Sequence, residues 1–586
     1  MRTLLSLVLA AAAFAAGIGF VCAKGKDFAM LEKEASAVIE EYLAKYEPMD
    51  LALRKAWFEY NTTGNKKASE LEAEILLKIR RLDSDRERFA KIRSLFNDRK
   101  KIADPVLRRQ VEVLYQSHLP NQVSGDKLEK LTELEKRLDV AFNDYRPEVD
   151  GKKMGLVDIS HILADSTDSS LLEKAWKAQH LVAPLLENDY RELVKLRNEI
   201  ARDLGYKNAL ELSAEVSETD LKMLDRFYED VTNATQKPFK KLKEEYIDPR
   251  LAKRYGITAA ELRPWHYQNA FFQEAPTAIF GDVDLDALYA KVDSNRVIKQ
   301  TRDFYASIGV DVSKTLANSS LFPKPGKNQH ACAWYLDPNK PGSSILIMSL
   351  PNPPKPPKAS EASTLVHELG HDINYEAILA NKEIPYLLRD ATMLTEAFAM
   401  LMEQQTQTAD WFVKLGVDEG KAREAADTVA LIDYVNQLMF LRWSAAIYCF
   451  EKRMYADPDA DIGALWWECR ERNQMLARPE GWVNPDALAK YHIPNVEPLY
   501  YSNYAIGQVA NVQFAELFGR KIANASQGAS YYGKRELGDW LMQDFLAQGE
   551  RYRWDEFLKM STGKPLSVSA WTKRYVGSPA EKKLYQ

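Results

Sequence analysis

The residues from Val366 to His371 carry the most explicit chemistry in the chain, the pattern H-E-x-x-H. Residues four apart lie on one face of an α-helix, so His367 and His371 can present two imidazoles to one metal ion. Glu368 then lies beside that ion, where a carboxylate can accept a proton from a water molecule. The alternative interpretation is a pair of structural histidines on a buried helix.

A third ligand is available 25 positions after His371, at Glu396. It lies where a second region of helical apolar periodicity begins, which two structural histidines alone would not predict. Catalytic zinc sites use three protein ligands and leave one position open, whereas structural zinc sites fill all four positions. His367, His371 and Glu396 therefore predict one catalytic zinc ion, with Glu368 as the general base.

The segments around this motif indicate how it is positioned. The proline-rich run 351–358 cannot be helical, so the helix of the histidines must begin after it. Leu365, Val366 and Leu369 are spaced to form the buried face of that helix.

A β-hairpin is predicted immediately before the proline-rich run. The segments 330–336 and 344–349 flank a turn at 338–342. An exposed edge strand beside a metal ion can hold an extended peptide by main-chain hydrogen bonds. This pattern favours a peptidase.

The rest of the chain is predicted to be α-helical, because apolar residues recur at three- and four-residue spacing. A break is predicted at 248–249, and a less regular stretch, 477–498, precedes a helix from about Tyr501 to Lys521. No repeat or linker divides the chain, so residues 24–586 are predicted to form one domain. The clearest helical segments are 31–46, 67–92 and 127–145.

Residues 1–23 are predicted to be a signal peptide. Arg2 precedes an apolar run from Leu4 to Phe20, and small residues follow at the predicted cleavage site. The residues before Cys22 match a lipobox poorly, so lipidation of this cysteine is not favoured. The mature protein is then exported to the periplasm or secreted, and no later run is long enough to span a bilayer.

The composition is that of a large globular protein, with 46% hydrophobic residues, 28% charged residues and a net charge of −5. There is no basic excess for nucleic-acid binding. Cys332, Cys449 and Cys469 follow the predicted cleavage site, and this small, odd set indicates a core that needs no disulfide framework. Cys449 and Cys469 could pair, but buried free thiols are favoured. The oligomeric state is not defined by the sequence.

Further motifs resemble the angiotensin-converting enzyme family of zinc peptidyl-dipeptidases, a gluzincin family related to the thimet-type oligopeptidases. The segment K-Y-H-I-P-N-V-E-P at 490–498 and the strand beginning at His330 are far more specific than H-E-x-x-H. The resemblance covers most of the mature chain and implies a mostly α-helical unit. Two helical lobes would enclose a deep channel that admits extended oligopeptides. The other matching segments are 57–63, 119–120, 175–176 and 466–470.

The resemblance also implies roles around the zinc ion. His492 and Tyr504 would donate hydrogen bonds to the oxyanion of the tetrahedral intermediate. His330 and Ala331 would line the strand that binds the substrate. Taken alone, His492 is an ordinary loop or core histidine.

The same resemblance implies a binding site for the free carboxylate at the end of a peptide. Lys490 would supply a compact positive charge, with Tyr501 and Gln268 beside it. Two residues are inserted after Pro498 relative to the family, so Tyr500 and Tyr501 compete for one role.

Several other positions depart from the family pattern. The spacing from His371 to Glu396 is one residue longer than usual there and equals that of the thimet-type oligopeptidases. Met400 stands where the family has an aspartate that would support the zinc ligands, so that partner is predicted to be missing.

The resemblance also bears on chloride binding. Trp466 and Arg470 match one chloride site of the family, but His180 and Asn503 stand where the family has arginines. A neutral amide offsets little of the desolvation cost of an anion. Activity is therefore predicted to depend weakly on chloride.

The sequence thus predicts an exported zinc peptidase that releases dipeptides from the C-terminus of oligopeptides. The first alternative is a thimet-type oligoendopeptidase, which cleaves internal bonds and needs no free C-terminus. The second is an exported peptide-binding protein that has kept the fold and lost catalysis. The intact set of predicted zinc ligands with Glu368 and His492 counts against this last alternative.

Overall fold

The computed structural model describes residues 2–280, 285–328, 330–522 and 529–586, with the side chains of residues 2–27 and Val157 left out. The predicted signal peptide, 1–23, and Cys22 lie outside the residues whose side chains are described. Among the described residues, no helix is long and apolar enough to cross a membrane.

The protein is mostly α-helical, as predicted. In the first half of the chain the α-helices are α1 Arg2–Thr63, α2 Lys66–Asp83, α3 Arg86–Asn97, α4 Pro105–His118, α5 Gly125–Asp144, α6 Leu156–Asp165, α7 Ser169–His180, α8 Ala183–Asp203, α9 Ala209–Val216, α10 Leu221–Lys241, α11 Asp248–Tyr255, α12 Ser294–Ser307 and α13 Ser313–Asn318.

The second half of the chain contains α17, which at 38 residues is the longest described helix after α1. Its α-helices are α14 Ala359–Ala380, α15 Thr395–Glu403, α16 Ala409–Leu415, α17 Glu419–Ala456, α18 Ile462–Gln474, α19 His492–Asn495, α20 Tyr500–Lys521, α21 Arg535–Trp540, α22 Trp554–Thr562, α23 Val568–Tyr575 and α24 Pro579–Leu584. The prediction of a helix from about Tyr501 to Lys521 is confirmed by α20.

Two predicted boundaries are wrong. The segment 67–92 is two helices, because Asp85 caps α3 by accepting a hydrogen bond from the Arg88 amide at 2.9 Å. Pro249 does not interrupt the chain of helices, since it occupies the first turn of α11, where the missing N–H is not needed. A π-helical turn, Leu242–Ile247, leads directly into α11.

The predicted hairpin is present but shorter than expected. Strand β3, Cys332–Tyr335, pairs antiparallel with β4, Ser344–Ile347. The four residues of β4 are buried, and Ile347 also bridges to Ser320 on its other side. In the described part of the chain β3 is therefore the edge strand. A second hairpin that was not predicted lies earlier in the chain and pairs β1, Glu148–Val149, with β2, Lys152–Lys153.

One large apolar core contains buried residues from Ala35 to Leu584, and Ile378, Ile384 and Leu388 form a small second cluster. The predicted buried face of α14 is confirmed, since Leu365, Val366 and Leu369 are each 0% exposed. The mostly α-helical fold is thus established, while its division into two lobes around a channel stays a prediction.

Glycine allows α14, α15 and α20 to approach one another closely. A Cβ atom on Gly370 would lie 2.9 Å from the Cα of Ala399 on α15. On the other side of α15, a Cβ on Gly507 would lie 3.3 Å from the Cβ of Glu396. Because these two positions lack side chains, α15 is held tightly between α14 and α20 with Glu396 at the contact.

Candidate active site

The three predicted zinc ligands lie together. The Nε2 atoms of His367 and His371 on α14 are 3.1 Å apart. The Oε2 atom of Glu396 on α15 lies 3.6 Å from the first and 3.8 Å from the second. Ligand atoms about 2.0–2.2 Å from a tetrahedral zinc ion are separated from one another by roughly 3.3–3.6 Å. The three atoms therefore fit a single ion.

Hydrogen bonds to the far side of each imidazole fix this arrangement. The Nδ1 atom of His367 lies 3.0 Å from Oε2 of Glu403, and Nδ1 of His371 lies 2.9 Å from Oγ1 of Thr395. Glu403 is itself held by the Ser363 hydroxyl, which donates to Oε1 at 2.8 Å. Partners of this kind orient the ring and leave the Nε2 lone pair free for a metal.

The electrostatics of the cluster also suit a divalent cation. The pKa of His371 is lowered to about 4 by burial, so this imidazole is neutral and able to ligate. Burial acts against the charge of His367, but hydrogen bonds to Glu396 and then Glu403 raise its pKa to about 10. The positive charge of His367 thus balances part of the negative charge of Glu396 and Glu403. A bound metal cation would balance this negative charge in its place.

Glu368 faces the hairpin. It is 8% exposed, and the Ala333 backbone on β3 lies close enough to lower the pKa of its carboxyl. Burial has the larger effect and raises the pKa of Glu368 to about 7, a value suited to a group that takes up and returns a proton near neutral pH. Glu368 therefore lies beside the edge strand.

His330 and Ala331 precede β3 and are not part of it. His330 is exposed and Ala331 is partly buried. His330 nevertheless lies close enough to His492 for its charge to lower the pKa of the His492 imidazole. His330 therefore lies near His492, just before the edge strand.

His492 and Tyr504 belong to one aromatic cluster. The ring of His492 lies 5.3 Å from that of Tyr501, 6.1 Å from that of Tyr504 and 6.4 Å from that of Tyr500. Burial, followed by the charges of Lys490 and His330, lowers the pKa of His492 to about 4. Its imidazole is therefore neutral and can donate one hydrogen bond.

Tyr504 adjoins the metal ligands. The charge of Glu396 acts on its phenol, and Gly507, one turn further along α20, lies against Glu396. Burial and then the neighbouring Tyr500 raise the pKa of Tyr504, so the hydroxyl stays protonated and can act as a donor. His492 and Tyr504 thus bring two neutral donors to the side of the site that faces Glu396.

Lys490 lies beside these aromatic rings. Its Nζ is 5.7 Å from the centre of the Tyr501 ring and donates to Oε1 of Gln273 at 2.9 Å. Burial lowers the pKa of Lys490 to about 8. Of the two competing tyrosines, Tyr501 is buried beside the lysine, whereas Tyr500 is 42% exposed. The hydroxyl of Tyr501 accepts a hydrogen bond from Trp443 at 2.8 Å.

Gln268 lines the same cavity of about 550 Å³ as Lys490, but its amide is occupied. Its nitrogen donates to the carbonyl of Ala164, and its oxygen accepts from the amide of Ala278 at 3.0 Å. The glutamine in contact with Lys490 is Gln273.

Trp466 and Arg470 lie in a buried cluster on α18. The guanidinium of Arg470 stacks near the rings of Trp443 and Trp466 at 5.4 and 5.5 Å. Burial lowers the pKa of Arg470 to about 9, while the charge of Asp486 acts in the opposite direction. His180 is also buried, and Asp486 acts on it as well. Asp486 is thus a built-in counter-charge for this cluster.

The most important residue missed by sequence reasoning is Glu403. The family comparison pointed to position 400, one turn after Glu396, and Met400 cannot accept a hydrogen bond from an imidazole. The prediction that this partner is missing is wrong, because Glu403, seven residues and two helical turns after Glu396, supplies the carboxylate. The signal was present, since residues seven apart share a helix face.

Comparison with known proteins agrees with this geometry. The family model described as angiotensin-converting enzyme, peptidase family M2, matches residues 29–575. Angiotensin-converting enzyme of Mus musculus is 23% identical over 453 residues, which is 70% of this chain and 33% of that protein. The enzyme of Bos taurus is 23% identical over 439 residues, 69% of this chain and 32% of that protein.

The chain therefore aligns with about a third of the length of these relatives. Their identity to it is low, but the family model extends over nearly the whole described chain, including the ligand cluster, the edge strand and the 490–504 segment. The protein belongs to the angiotensin-converting enzyme family of peptidases.

Proposed function

We propose that this protein is an exported zinc peptidase that releases dipeptides from the C-terminus of oligopeptides. The observation that carries this proposal is the position of Lys490. It is a partly buried cation, separated from the metal ligands by the rings of Tyr501 and Tyr504, whose centres are 5.4 Å apart. We infer that a terminal carboxylate binds there and that two extended residues, which span roughly 7 Å, lie between it and the scissile bond.

His367, His371 and Glu396 would hold the zinc ion, which supplies Lewis acidity at the scissile carbonyl when bound. Glu368 accepts a proton from the attacking water and returns it to the leaving amine. Its pKa of about 7 allows both steps near neutral pH.

His492 and Tyr504 donate hydrogen bonds to the oxyanion as the carbonyl carbon becomes tetrahedral. Both groups are neutral donors in a largely buried setting, where a hydrogen bond to a developing negative charge is stronger than in water. His330 and Ala331, with the free edge of β3, bind the main chain of the substrate.

Lys490 pairs with the terminal carboxylate, with Gln273 and Tyr501 orienting it. The binding energy of this remote ion pair holds the scissile bond in position. We therefore propose Gln273, and not Gln268, as the amide partner of the carboxylate, since the Gln268 amide is already bonded to the backbone.

The test compares one peptide with a free C-terminus and with an amidated C-terminus, with products identified by mass spectrometry. Wild-type enzyme should release dipeptides from the free acid and cleave the amide poorly. Lys490→Ala should lower kcat/KM for the free acid by about 1.5–3 kcal/mol, the scale of a hydrogen bond to a charged group, and leave the amide nearly unchanged.

Lys358→Ala is the matched control, because Lys358 is an exposed lysine that lines the same cavity. It should have little effect on either peptide. Equal losses in both variants would mean that general charge, and not a specific contact at Lys490, attracts the carboxylate.

The second candidate function is a thimet-type oligoendopeptidase. The cavity at Lys490 favours it, because about 550 Å³ lined by polar residues offers space for more chain than a dipeptide. The one-residue-longer spacing between His371 and Glu396 also matches that group. Equal cleavage of free and amidated peptides at internal bonds would establish this function instead.

Export is proposed from the signal-peptide pattern of residues 1–23. Expression of the full chain with its own N-terminus should yield a mature protein that begins at Lys24 outside the cytoplasm, which N-terminal sequencing would detect. Retention of the full chain inside the cell would contradict it.

A further inference from the structure

Two cysteines outside the active site are in contact across a helix pair. Cys449 on α17 and Cys469 on α18 are neighbours, and each thiol shifts the pKa of the other. Cys469 is 0% exposed, whereas Cys449 is only partly buried. One thiol of the pair is therefore open to a reagent in solution, and the other can be reached only through its neighbour.

Arg453 joins the two thiols and the two helices. It lies one turn after Cys449 on α17, and its charge acts on both thiols. It also forms an ion pair of 2.6 Å with Glu468, the residue before Cys469 on α18. This ion pair places the turn after Cys449 next to the residue that precedes Cys469.

The surroundings activate the outer thiol. The neighbouring Cys469 thiol lowers the pKa of Cys449 to about 7, against the effect of burial, and the charges of Arg453 and Arg472 add to the shift. A thiolate is therefore present at neutral pH at the more exposed member of the pair.

We propose that Cys449 and Cys469 form an intramolecular disulfide by thiol–disulfide exchange, with Cys449 as the attacking thiol and Cys469 as the resolving thiol. The thiolate of Cys449 attacks a small disulfide such as oxidised glutathione, and one glutathione thiolate leaves. Cys469 then loses its proton and attacks the Cys449 sulfur, which expels the second glutathione thiolate.

The exchange is balanced. Two protein thiols are oxidised to one disulfide, the glutathione disulfide is reduced to two thiols, and the two protons pass to the leaving thiolates. The product closes a loop of about 20 residues and links α17 to α18, which stabilises the folded protein relative to the unfolded chain.

Cys332 provides a control within the same chain. It is also partly exposed, but burial and then the charge of Glu368 raise its pKa to about 12. It should therefore stay reduced under conditions that oxidise the other two cysteines.

The test equilibrates the folded, full-length mature protein with mixtures of oxidised and reduced glutathione at pH 7.5, then blocks free thiols with N-ethylmaleimide for mass spectrometry. We expect one cross-linked peptide pair containing Cys449 and Cys469, and a blocked Cys332. The melting temperature of the oxidised form should be higher by roughly 2–6 °C. None of these readouts depends on zinc or on peptidase activity.

Two variants test the order of events. Cys469→Ser should accumulate a stable glutathione adduct at Cys449, because no resolving thiol remains. Cys449→Ser should leave Cys469 unmodified in the folded protein. The proposal is overturned if wild-type Cys449 and Cys469 both remain open to N-ethylmaleimide after equilibration, if glutathione stays on Cys449, or if the cross-link joins two chains.

Discussion

At the scale of single residues, the zinc cluster depends on side chains that would not touch the ion. Glu403 is the clearest case, since its carboxylate accepts from Nδ1 of His367 while Ser363 holds its other oxygen. A carboxylate in this position raises the basicity of the imidazole and fixes its tautomer. The orientation of the His367 ring is thus set by Glu403, which lies two helical turns after Glu396 on α15.

Glu403→Gln should weaken zinc binding by roughly 10- to 100-fold, because the amide is a poorer acceptor and carries no charge. Competition with a chelator of known zinc affinity measures this loss. Glu419→Gln, an exposed glutamate at the start of α17, is the control and should bind zinc as wild type does. Unchanged zinc affinity in Glu403→Gln would mean that the contact with His367 does not support the metal.

We expect Lys490 to make the binding of free-acid peptides dependent on pH. Its pKa is lowered to about 8 because burial disfavours the charged form, so the positive charge is present below pH 8 and is lost as the pH rises through that value. KM for free-acid peptides should therefore rise above about pH 8, while KM for amidated peptides should not.

Lys490→Arg keeps its charge throughout this range, since the guanidinium pKa lies above 12. Initial-rate measurements from pH 6.5 to 9.5 should show a flatter KM profile for the arginine variant. The same rise in KM for free and amidated peptides would assign the pH effect to another group.

At the scale of elements, the sequence predicted the helices and strands in which apolar residues recur at regular spacing. The buried face of α14 follows from Leu365, Val366 and Leu369, and the hairpin follows from two apolar runs around a turn. Boundaries set by local capping were not predicted, because the Asp85 cap interrupts an apolar pattern that continues unchanged across it.

The three candidate ligands could also be predicted, because helix geometry places His367 and His371 on one face and Glu396 begins the next region of helical periodicity. The hydrogen-bond partners of the other site residues could not be predicted, because they depend on how distant helices and loops pack against one another. The contact of Lys490 with Gln273 joins residues 217 positions apart, and no local pattern records it. In the same way, Gln268 matches the expected residue type, but its amide is occupied by backbone groups of other segments.

The α18 cluster predicts a weak response to chloride. Asp486 already acts as counter-charge to Arg470, and His180 is a neutral, buried imidazole. An added anion would meet little net positive charge, so kcat/KM should change less than about threefold, or roughly 0.7 kcal/mol, between chloride-free buffer and physiological salt. Acetate at equal ionic strength is the control.

The opposing observation is that Nε and Nη2 of Arg470 and Nε1 of Trp466 are buried without hydrogen-bond partners among the described residues. A steep, chloride-specific rise in kcat/KM would mean that an anion satisfies these groups, and the prediction would then be wrong.

At the scale of the whole molecule, the N-terminal helices hold the parts of the site that come from the second half of the chain. Arg54 on α1 donates to the carbonyl of Tyr335 on β3 and stacks over its ring at 4.2 Å. Ser213 on α9 donates to the carbonyl of Pro498 at 2.6 Å. The edge strand and the segment that leads into α20 are therefore positioned by residues more than 250 positions away.

This long-range assembly explains why the metal ligands lie on neighbouring helices while the groups around them come from the whole chain. One apolar core joins these parts, so a change far from the zinc cluster can move the edge strand or the Tyr504 hydroxyl. The cluster of His367, His371, Glu368 and Glu396 is the point at which the account is most directly tested.

The measurement is zinc content together with peptide turnover in wild type and in Glu368→Gln. The account predicts one zinc ion per chain in both proteins, loss of hydrolysis on chelation with recovery on adding zinc, and a fall in kcat of about 10²- to 10⁴-fold in the variant. A Glu368→Gln protein that binds zinc and cleaves peptides at nearly the wild-type rate would contradict it.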